Sequence, residues 1–153
     1  MPAAAFRSRY IIVILFAVLL LATGCKKATE QIQEDILKQY FETNILNRDF
    51  RVKLATDNGT DLTTQYDGYT FKLLHETDYQ GPMTGIKGST TITGSWNCNE
   101  DFSKLTISLT LPTTPPEFIF INRAWKFTKK AVPVMELAPW GTLQPYVLHM
   151  ERL

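Results

Sequence analysis

Few residues in this chain belong to the types that most often do chemistry in proteins. It has two histidines, His75 and His149, and two cysteines, Cys25 and Cys98. A hydrolase that uses a nucleophile and a base needs a histidine close to the nucleophile. Both histidines alternate with apolar neighbours along predicted strands, so their side chains are expected to face solvent. The spacing of these residues is not that of zinc ligands. We therefore predict no catalytic residue, no metal site and no cofactor.

Three aspartates, Asp57, Asp61 and Asp67, lie in and after the first predicted turn. Carboxylate oxygens are the ligands that calcium prefers, but this spacing does not match a calcium-binding loop. Side-chain hydrogen bonds within the turn explain Asp57 without any ion. The acidic and aromatic loops leave open an alternative hypothesis, in which the protein is an enzyme or an enzyme inhibitor that acts through them.

Residues 1–24 have the three parts of a secretory signal. Arg7 and Arg9 supply positive charge, residues 11–21 are apolar, and residues 22–24 are small. A membrane-spanning helix is the competing interpretation, but it needs roughly 20 apolar residues. Because this apolar run ends sooner, the signal interpretation is favoured.

Cys25 directly follows the run Leu21-Ala22-Thr23-Gly24. This pattern resembles a bacterial lipobox, in which a cysteine after small residues carries a diacylglyceryl group. Each buried methylene contributes roughly 0.8 kcal/mol, so several acyl chains hold a protein durably at a membrane. We predict that the lipid on Cys25 anchors the protein in the bacterial cell envelope, with the outer membrane favoured and the periplasmic or surface face left open. Plain secretion is the alternative.

The mature chain that begins at Cys25 has a length that fits one domain. Without the two arginines of the signal, fourteen basic residues face fifteen acidic ones, so the mature net charge is −1. This charge gives no basic footprint for nucleic acid, and we predict no nucleic-acid partner. Lipidation of Cys25 would leave Cys98 alone. Cys98 shares a strand face with Trp96 and is expected to be buried.

Residues 25–48 are predicted to contain the lipidated cysteine, a short tether and an amphipathic helix. Thr29 is a suitable helix N-cap. Apolar residues recur beyond it at helical spacing and form one stripe: Ile32, Ile36, Leu37, Tyr40 and Phe41. The opposite face carries acidic residues rather than a basic array, which favours docking of the stripe onto the domain over contact with anionic lipid.

From Phe50 onward the apolar period changes to two, and turn residues recur about every ten residues, which is typical of an all-β domain. Eight segments are predicted to be strands: 50–54, 69–74, 83–86, 89–98, 105–110, 118–128, 132–137 and 146–150. Without helix-length inserts among them, the connections are local and the pairing is antiparallel. Residues 49–153 are therefore predicted to form an all-β, antiparallel meander barrel of about eight strands.

The interior of a barrel with about eight strands holds either side chains or one small ligand. Four large residues are predicted to line this interior or to contact a ligand there: Tyr69, Phe71, Trp96 and Trp125. A filled core is favoured because each such ring buries roughly 150 to 250 Å². Gly94 is the one inward position where something large could approach.

Further aromatic residues lie in or beside the predicted loops, namely Tyr66, Tyr79 and Trp140, with Tyr69 next to them. Such rings could contact an apolar or saccharide ligand. They could also plug the ends of the barrel, and this role is favoured because large aromatic residues are usually buried.

Several short runs together resemble the small lipocalin-like lipoproteins common in Bacteroidetes: Phe50-Arg51-Val52, Asp57-Asn58-Gly59-Thr60-Asp61, Tyr66-Asp67-Gly68-Tyr69-Thr70-Phe71, Thr93-Gly94-Ser95-Trp96 and Arg123-Ala124-Trp125. The resemblance covers nearly all of the mature chain. In that family the first strand usually opens with tryptophan, where this chain has Phe50. The resemblance implies an exported, lipid-anchored, calycin-type barrel and identifies no catalytic residue.

The expected function is therefore that of a membrane-anchored, non-enzymatic module that binds a small apolar or saccharide ligand or an interaction partner. A purely structural envelope protein is a further alternative.

Replacement of the lipid acceptor tests the anchor directly. Wild-type protein expressed in a bacterial host is expected to enter the detergent phase on phase separation, because its acyl chains partition with detergent. The Cys25→Ala variant is expected to remain in the aqueous phase. Wild-type protein found in the aqueous phase would exclude a lipid anchor.

Overall fold

The computed structural model describes residues 31–153. The predicted signal sequence 1–24, the lipid site at Cys25 and the helix N-cap at Thr29 lie outside the described residues. The chain divides into two compact units, Met1–Ile36 and Leu37–Leu153. Helix α1 covers residues 31–44 of the described chain. None of the helices within residues 31–153 combines the length and the apolar character needed to cross a bilayer.

Nine strands and two short helical segments follow α1. The strands are β1 (Asp49–Asp57), β2 (Thr60–Asp61), β3 (Thr70–Leu73), β4 (Gln80–Lys87), β5 (Thr90–Cys98), β6 (Lys104–Leu111), β7 (Ala124–Lys129), β8 (Val134–Pro139) and β9 (Tyr146–Arg152). A 3-10 helix covers Thr63–Tyr66, and one turn of helix, α2, covers Phe118–Ile121.

The strands form one antiparallel sheet that closes on itself. Its order is β2-β1-β3-β4-β5-β6-β7-β8-β9, and β1 also pairs with β9. The two-residue strand β2 is an extra strand beside β1, so the remaining eight form the barrel. The predicted fold class, an antiparallel meander barrel of about eight strands after an N-terminal helix, is confirmed.

The first strand differs from the prediction in its middle. The alternation of Phe50, Val52 and Leu54 predicted three inward residues, but a register shift between Val52 and Leu54 interrupts the pairing of β1 with β9. Such a bulge inserts one residue and exchanges the two faces of the strand beyond it. As a result Ala55 is buried and Leu54 is only half-buried.

The predicted strand 118–128 is also wrong in its first part, since Phe118–Ile121 is a helical turn and β7 begins at Ala124. Phe120 and Ile121 are both buried. Neighbouring residues of a strand point to opposite faces, so a strand could not bury both in one core. The helical turn buries both, and the Ile121 carbonyl accepts a hydrogen bond from Trp125 Nε1 at 2.9 Å.

The two ends of the barrel are closed by different groups of rings. At the end where α1 leads into β1, here called the helix end, the Phe41 ring lies 5.7 Å from that of Trp96 and 4.9 Å from that of Phe102. At the opposite end, here called the loop end, the Phe118 ring lies 5.0 Å from that of Tyr69 and 5.7 Å from that of Phe71.

Within the unit Leu37–Leu153, the predicted docking of the α1 stripe is confirmed for Leu37, Tyr40 and Phe41. Phe41 is buried in the core, and Leu37 packs against it. The Tyr40 hydroxyl donates to the Lys130 carbonyl at 2.9 Å and accepts from the Val132 N–H at 3.2 Å. In the other unit, Ile32 and Ile36 are each 60% exposed.

The prediction that a large group could approach the interior at Gly94 is wrong. A Cβ atom at this position would lie 1.7 Å from the Ser108 carbonyl oxygen of the neighbouring strand β6. The backbone of β6 therefore occupies the space that a side chain would need.

A Gly94→Ala substitution is expected to lower the free energy of unfolding by about 1 to 3 kcal/mol or more, because the backbone of β6 must move to admit the methyl group. Ser95→Ala, on the outer face of the same strand, serves as the control and should leave stability within about 0.5 kcal/mol. Chemical denaturation measures both. Equal stability of the two variants would contradict the close approach.

Candidate functional site

All four residues predicted to line the interior are buried. Trp96, Trp125 and Phe71 are fully buried, and Tyr69 is nearly so. They do not form a single site, because Tyr69 and Phe71 stack at the loop end with ring centroids 5.9 Å apart, whereas Trp96 packs against Phe41 at the helix end. Contact of these residues with a ligand stays a prediction.

Aromatic rings occupy the barrel interior along its length. The largest fully buried side chains are Trp96, Trp125, Phe41, Phe50, Phe71, Phe102 and Phe118. The packing is close: a Cβ atom on Gly85 would lie 3.1 Å from Phe71 and 3.2 Å from Phe118. Around Gly85, therefore, the rings occupy space that a small ligand would need in a hollow barrel of this size.

At the loop end, two tyrosines plug the barrel and hold the connection between β6 and β7. The Tyr66 hydroxyl donates to the Glu117 carbonyl oxygen at 2.6 Å, and the Tyr69 hydroxyl donates to Glu117 Oε1 at 3.0 Å. Both tyrosines are buried. Burial and the neighbouring Glu117 carboxylate raise the pKa of both hydroxyls. The favoured role of these two residues, as plugs, is confirmed.

The other two loop aromatics lie elsewhere. Tyr79 packs against the Phe102 ring at 5.4 Å and belongs to the helix end. Trp140 is 39% exposed, and Lys104 Nζ lies 5.6 Å from its ring centroid on the outside of the barrel. Trp140 is therefore a surface residue rather than a plug.

A half-buried arginine, Arg123, lies directly before β7 among the aromatic residues of the loop end. Its guanidinium carbon lies 4.3 Å from the ring centroid of Tyr146, 4.8 Å from that of Phe120 and 5.5 Å from that of Trp125. Its Nε atom is buried and has no hydrogen-bond partner. From its sequence context, Arg123 was assigned no role beyond its place in the run Arg123-Ala124-Trp125 of the resemblance. It is one of two cations in the predicted apolar segment 118–128, the other being Lys126, so the sequence alone does not single it out.

Two open clefts lie at the ends of the barrel. One, of about 520 Å³, is at the loop end and is lined by Gln65, Pro116 and Glu117. The other, of about 540 Å³, is at the helix end and is mainly polar: Thr43, Asn44, Asn47, Arg48, Asp49, Arg152 and Leu153. Both open to solvent, so the room for a small molecule that these clefts provide lies outside the aromatic core.

The histidines and Cys98 do not form a shared site. His75 is exposed, with Nε2 3.9 Å from Glu42 Oε1, and His149 lies half-buried on β9. Cys98 is buried, and this burial raises the pKa of its thiol to about 12. A buried thiol that stays protonated is a poor nucleophile, so Cys98 acts as a core residue, as predicted.

Sequence reasoning missed one polar cluster. Glu42 of α1 meets His75 and Asp78 from the β3–β4 connection, and their ligand atoms lie within 4.8 Å of one another. A histidine with two carboxylates is a donor set that zinc accepts. Asp78 is already paired with Lys38 at 2.5 Å, so the cluster as it stands is a polar network at the surface.

Asp57 acts as a turn residue, as predicted, and Asp61 makes a similar local contact. Asp61 Oδ1 accepts from the Thr63 N–H at 2.8 Å, and Asp57 Oδ1 accepts from the Asn58 side-chain amide at 2.7 Å. The hydrogen bonds from Thr63 lower the pKa of Asp61. The Asp57 contact stabilises the β1–β2 turn, and the Asp61 contact stabilises the passage from β2 to the 3-10 helix.

Comparison of the chain with protein-family models, with curated proteins and with solved structures found no match.

The buried tyrosines predict a loss of stability at alkaline pH. Their folded-state pKa values lie above the unfolded value of about 10, so unfolding releases protons there. The free energy of unfolding should be constant with respect to these groups below about pH 10 and should fall as the pH rises further.

Denaturation at a series of alkaline pH values, with tyrosinate absorbance as the second probe, measures this effect. The Tyr66→Phe variant removes one of the two groups and should show a shallower fall. An identical pH slope for the variant and the wild type would contradict the assignment.

Proposed function

We propose that this protein is an exported lipoprotein, held at a membrane of the cell envelope by the lipid on Cys25, whose barrel is a non-enzymatic binding module. The barrel binds at its surface, at the loop end, rather than in an internal cavity. One observation supports this proposal: Trp96, Trp125 and Phe71 lie fully buried in one core with other rings.

The loop end has the features of a surface binding site. Its cleft at Gln65, Pro116 and Glu117 provides room for a small molecule. Beside it, Tyr66 and Tyr69 are held by hydrogen bonds to Glu117, so the wall of the site is fixed before anything binds. A preformed wall lowers the entropic cost of binding.

The alternative of an enzyme or enzyme inhibitor acting through acidic loops has less support. Asp57 and Asp61 are engaged in turn hydrogen bonds, and Glu117 Oε1 accepts from Tyr69. A general base must lie within hydrogen-bond reach of a substrate proton. The contacts of these three acids in the structure are instead ones that hold the loops in place.

Native mass spectrometry of the full lipidated protein, released gently from detergent, tests the location of binding. The expected mass is that of the protein with its own acyl chains and with no retained apolar molecule, because rings fill the interior. Retention of one apolar molecule per chain would contradict the filled barrel.

The Phe71→Ala variant is the matched comparison. Removal of this ring should leave an apolar cavity that takes up a small apolar molecule such as benzene, as dry cavities of this kind do. It should also lower stability by about 3 to 5 kcal/mol. Uptake by the variant and not by the wild type would show that the assay can detect a bound apolar molecule. It would also show that the Phe71 ring excludes such a molecule from the wild-type protein.

A further inference from the structure

The environment of Arg123 is unusual for a charged side chain. It is half-buried, and its charge lies over the rings of Tyr146, Phe120 and Trp125. Within residues 31–153 no carboxylate forms an ion pair with it. Its Nε atom is buried without an acceptor. Charged groups that leave water are normally paired or hydrogen-bonded, and among residues 31–153 three aromatic rings lie against this guanidinium instead.

The nearby acid does not neutralise this charge. Glu117 and Arg123 both lie close enough to Tyr66 to change the pKa of its hydroxyl, Glu117 raising it and Arg123 lowering it. Glu117 Oε1, however, accepts from the Tyr69 hydroxyl at 3.0 Å. The loop end therefore contains a cation that its own acid leaves unpaired.

The backbone that carries Arg123 is fixed on both sides. The Arg123 N–H donates to the Ile121 carbonyl at 2.9 Å, and the Arg123 carbonyl accepts from the Ile107 N–H at 3.1 Å. The preceding side chain, Asn122, makes two hydrogen bonds to the backbone of Leu109. The guanidinium is thus held in position by its main chain and by the rings beneath it.

We propose that Arg123 is an anion-binding residue, which receives a carboxylate or phosphate group of a small soluble ligand at the loop end. This inference rests on the proposed function, since it names a ligand chemistry for the same end of the barrel. Stacking uses the faces of the planar guanidinium and leaves its N–H edge for hydrogen bonds. That edge matches two oxygens of one carboxylate or phosphate.

The bound anion would supply the opposite charge that Arg123 lacks and would accept hydrogen bonds from its Nη groups, because the buried Nε atom is out of reach from solvent. It would do so beside aromatic rings, where charged hydrogen bonds are stronger than in bulk solvent. Trp125 lies 5.5 Å from the guanidinium carbon, so its fluorescence is a natural reporter of binding.

The test is titration of the full chain, in an uncharged maltoside detergent at constant ionic strength, with sodium acetate and separately with inorganic phosphate. Tryptophan fluorescence and the anion-dependent shift in melting temperature are the two readouts. We expect saturable binding of at least one of the two anions, and the arm that saturates distinguishes a carboxylate from a phosphate ligand.

Three variants give the comparison. Arg123→Gln should weaken binding by about tenfold or more, since a hydrogen bond to a charged group contributes roughly 1.5 to 3 kcal/mol. Arg123→Lys keeps the charge but loses the paired N–H groups, and should give an intermediate loss. Lys126→Gln removes an exposed charge from β7, the strand that follows Arg123, and should leave affinity within about twofold.

Wild-type affinity in Arg123→Gln, or an equal loss in Lys126→Gln, would overturn the assignment. If Arg123→Gln does not fold, Arg123→Lys decides, because undiminished binding by that variant refutes paired recognition by the guanidinium. Failure of both anions to bind refutes this inference alone and leaves the proposed function standing. An apolar molecule retained in the interior, by contrast, refutes the proposed function.

Discussion

Closure of eight antiparallel strands fixes how much volume the barrel encloses. In this protein large aromatic side chains occupy much of that volume. Trp96 and Trp125 are fully buried at different positions along the barrel. Glycine appears where a neighbour needs the space: Gly85 faces Phe71 and Phe118, and Gly94 faces the backbone of β6. Interiors packed to this density tolerate little change in volume. The stability of the fold therefore depends on the interior, and this leaves the surface available for binding.

The rings are also oriented, because their polar atoms find acceptors in the main chain. Trp96 Nε1 donates to the Leu74 carbonyl at 2.8 Å, and Trp125 Nε1 donates to that of Ile121 at 2.9 Å. Tyr66 does the same with Glu117. A buried donor without an acceptor would cost about 1 to 3 kcal/mol, so these bonds select one arrangement of the core. Through Trp125, the same selection fixes the surroundings of Arg123.

The architecture could be predicted from the sequence because alternation and turn residues are local signals. The same signals do not predict the local conformation where contacts between distant parts of the chain determine it. Nothing local marks the bulge that buries Ala55 in place of Leu54, since it depends on the pairing of β1 with a strand from the end of the chain. Phe118–Ile121 has an apolar run that suits either a strand or a buried helical turn, and the barrel end selects the turn.

The candidate site was less predictable for the same reason. Tyr69 and Phe71 could be assigned to the interior by their period. The aromatic surroundings of Arg123 come partly from Phe120, which is nearby in the sequence, and partly from Tyr146 of the last strand. A single sequence does not show that Tyr146 lies close to Arg123. The cluster of Glu42, His75 and Asp78 likewise joins a helix to a loop after β3.

One side-chain contact also bears on solubility. Strand β7 pairs with β6 only from Lys104 to Thr106, although β6 continues to Leu111. The Asn122 side chain covers part of the remaining edge, because its amide oxygen accepts from the Leu109 N–H and its amide nitrogen donates to the Leu109 carbonyl. An open edge of this kind can recruit a strand from another molecule and start aggregation. Asn122 occupies the Leu109 N–H and carbonyl groups that such a strand would use. It therefore opposes association of two molecules along the part of β6 that β7 leaves unpaired.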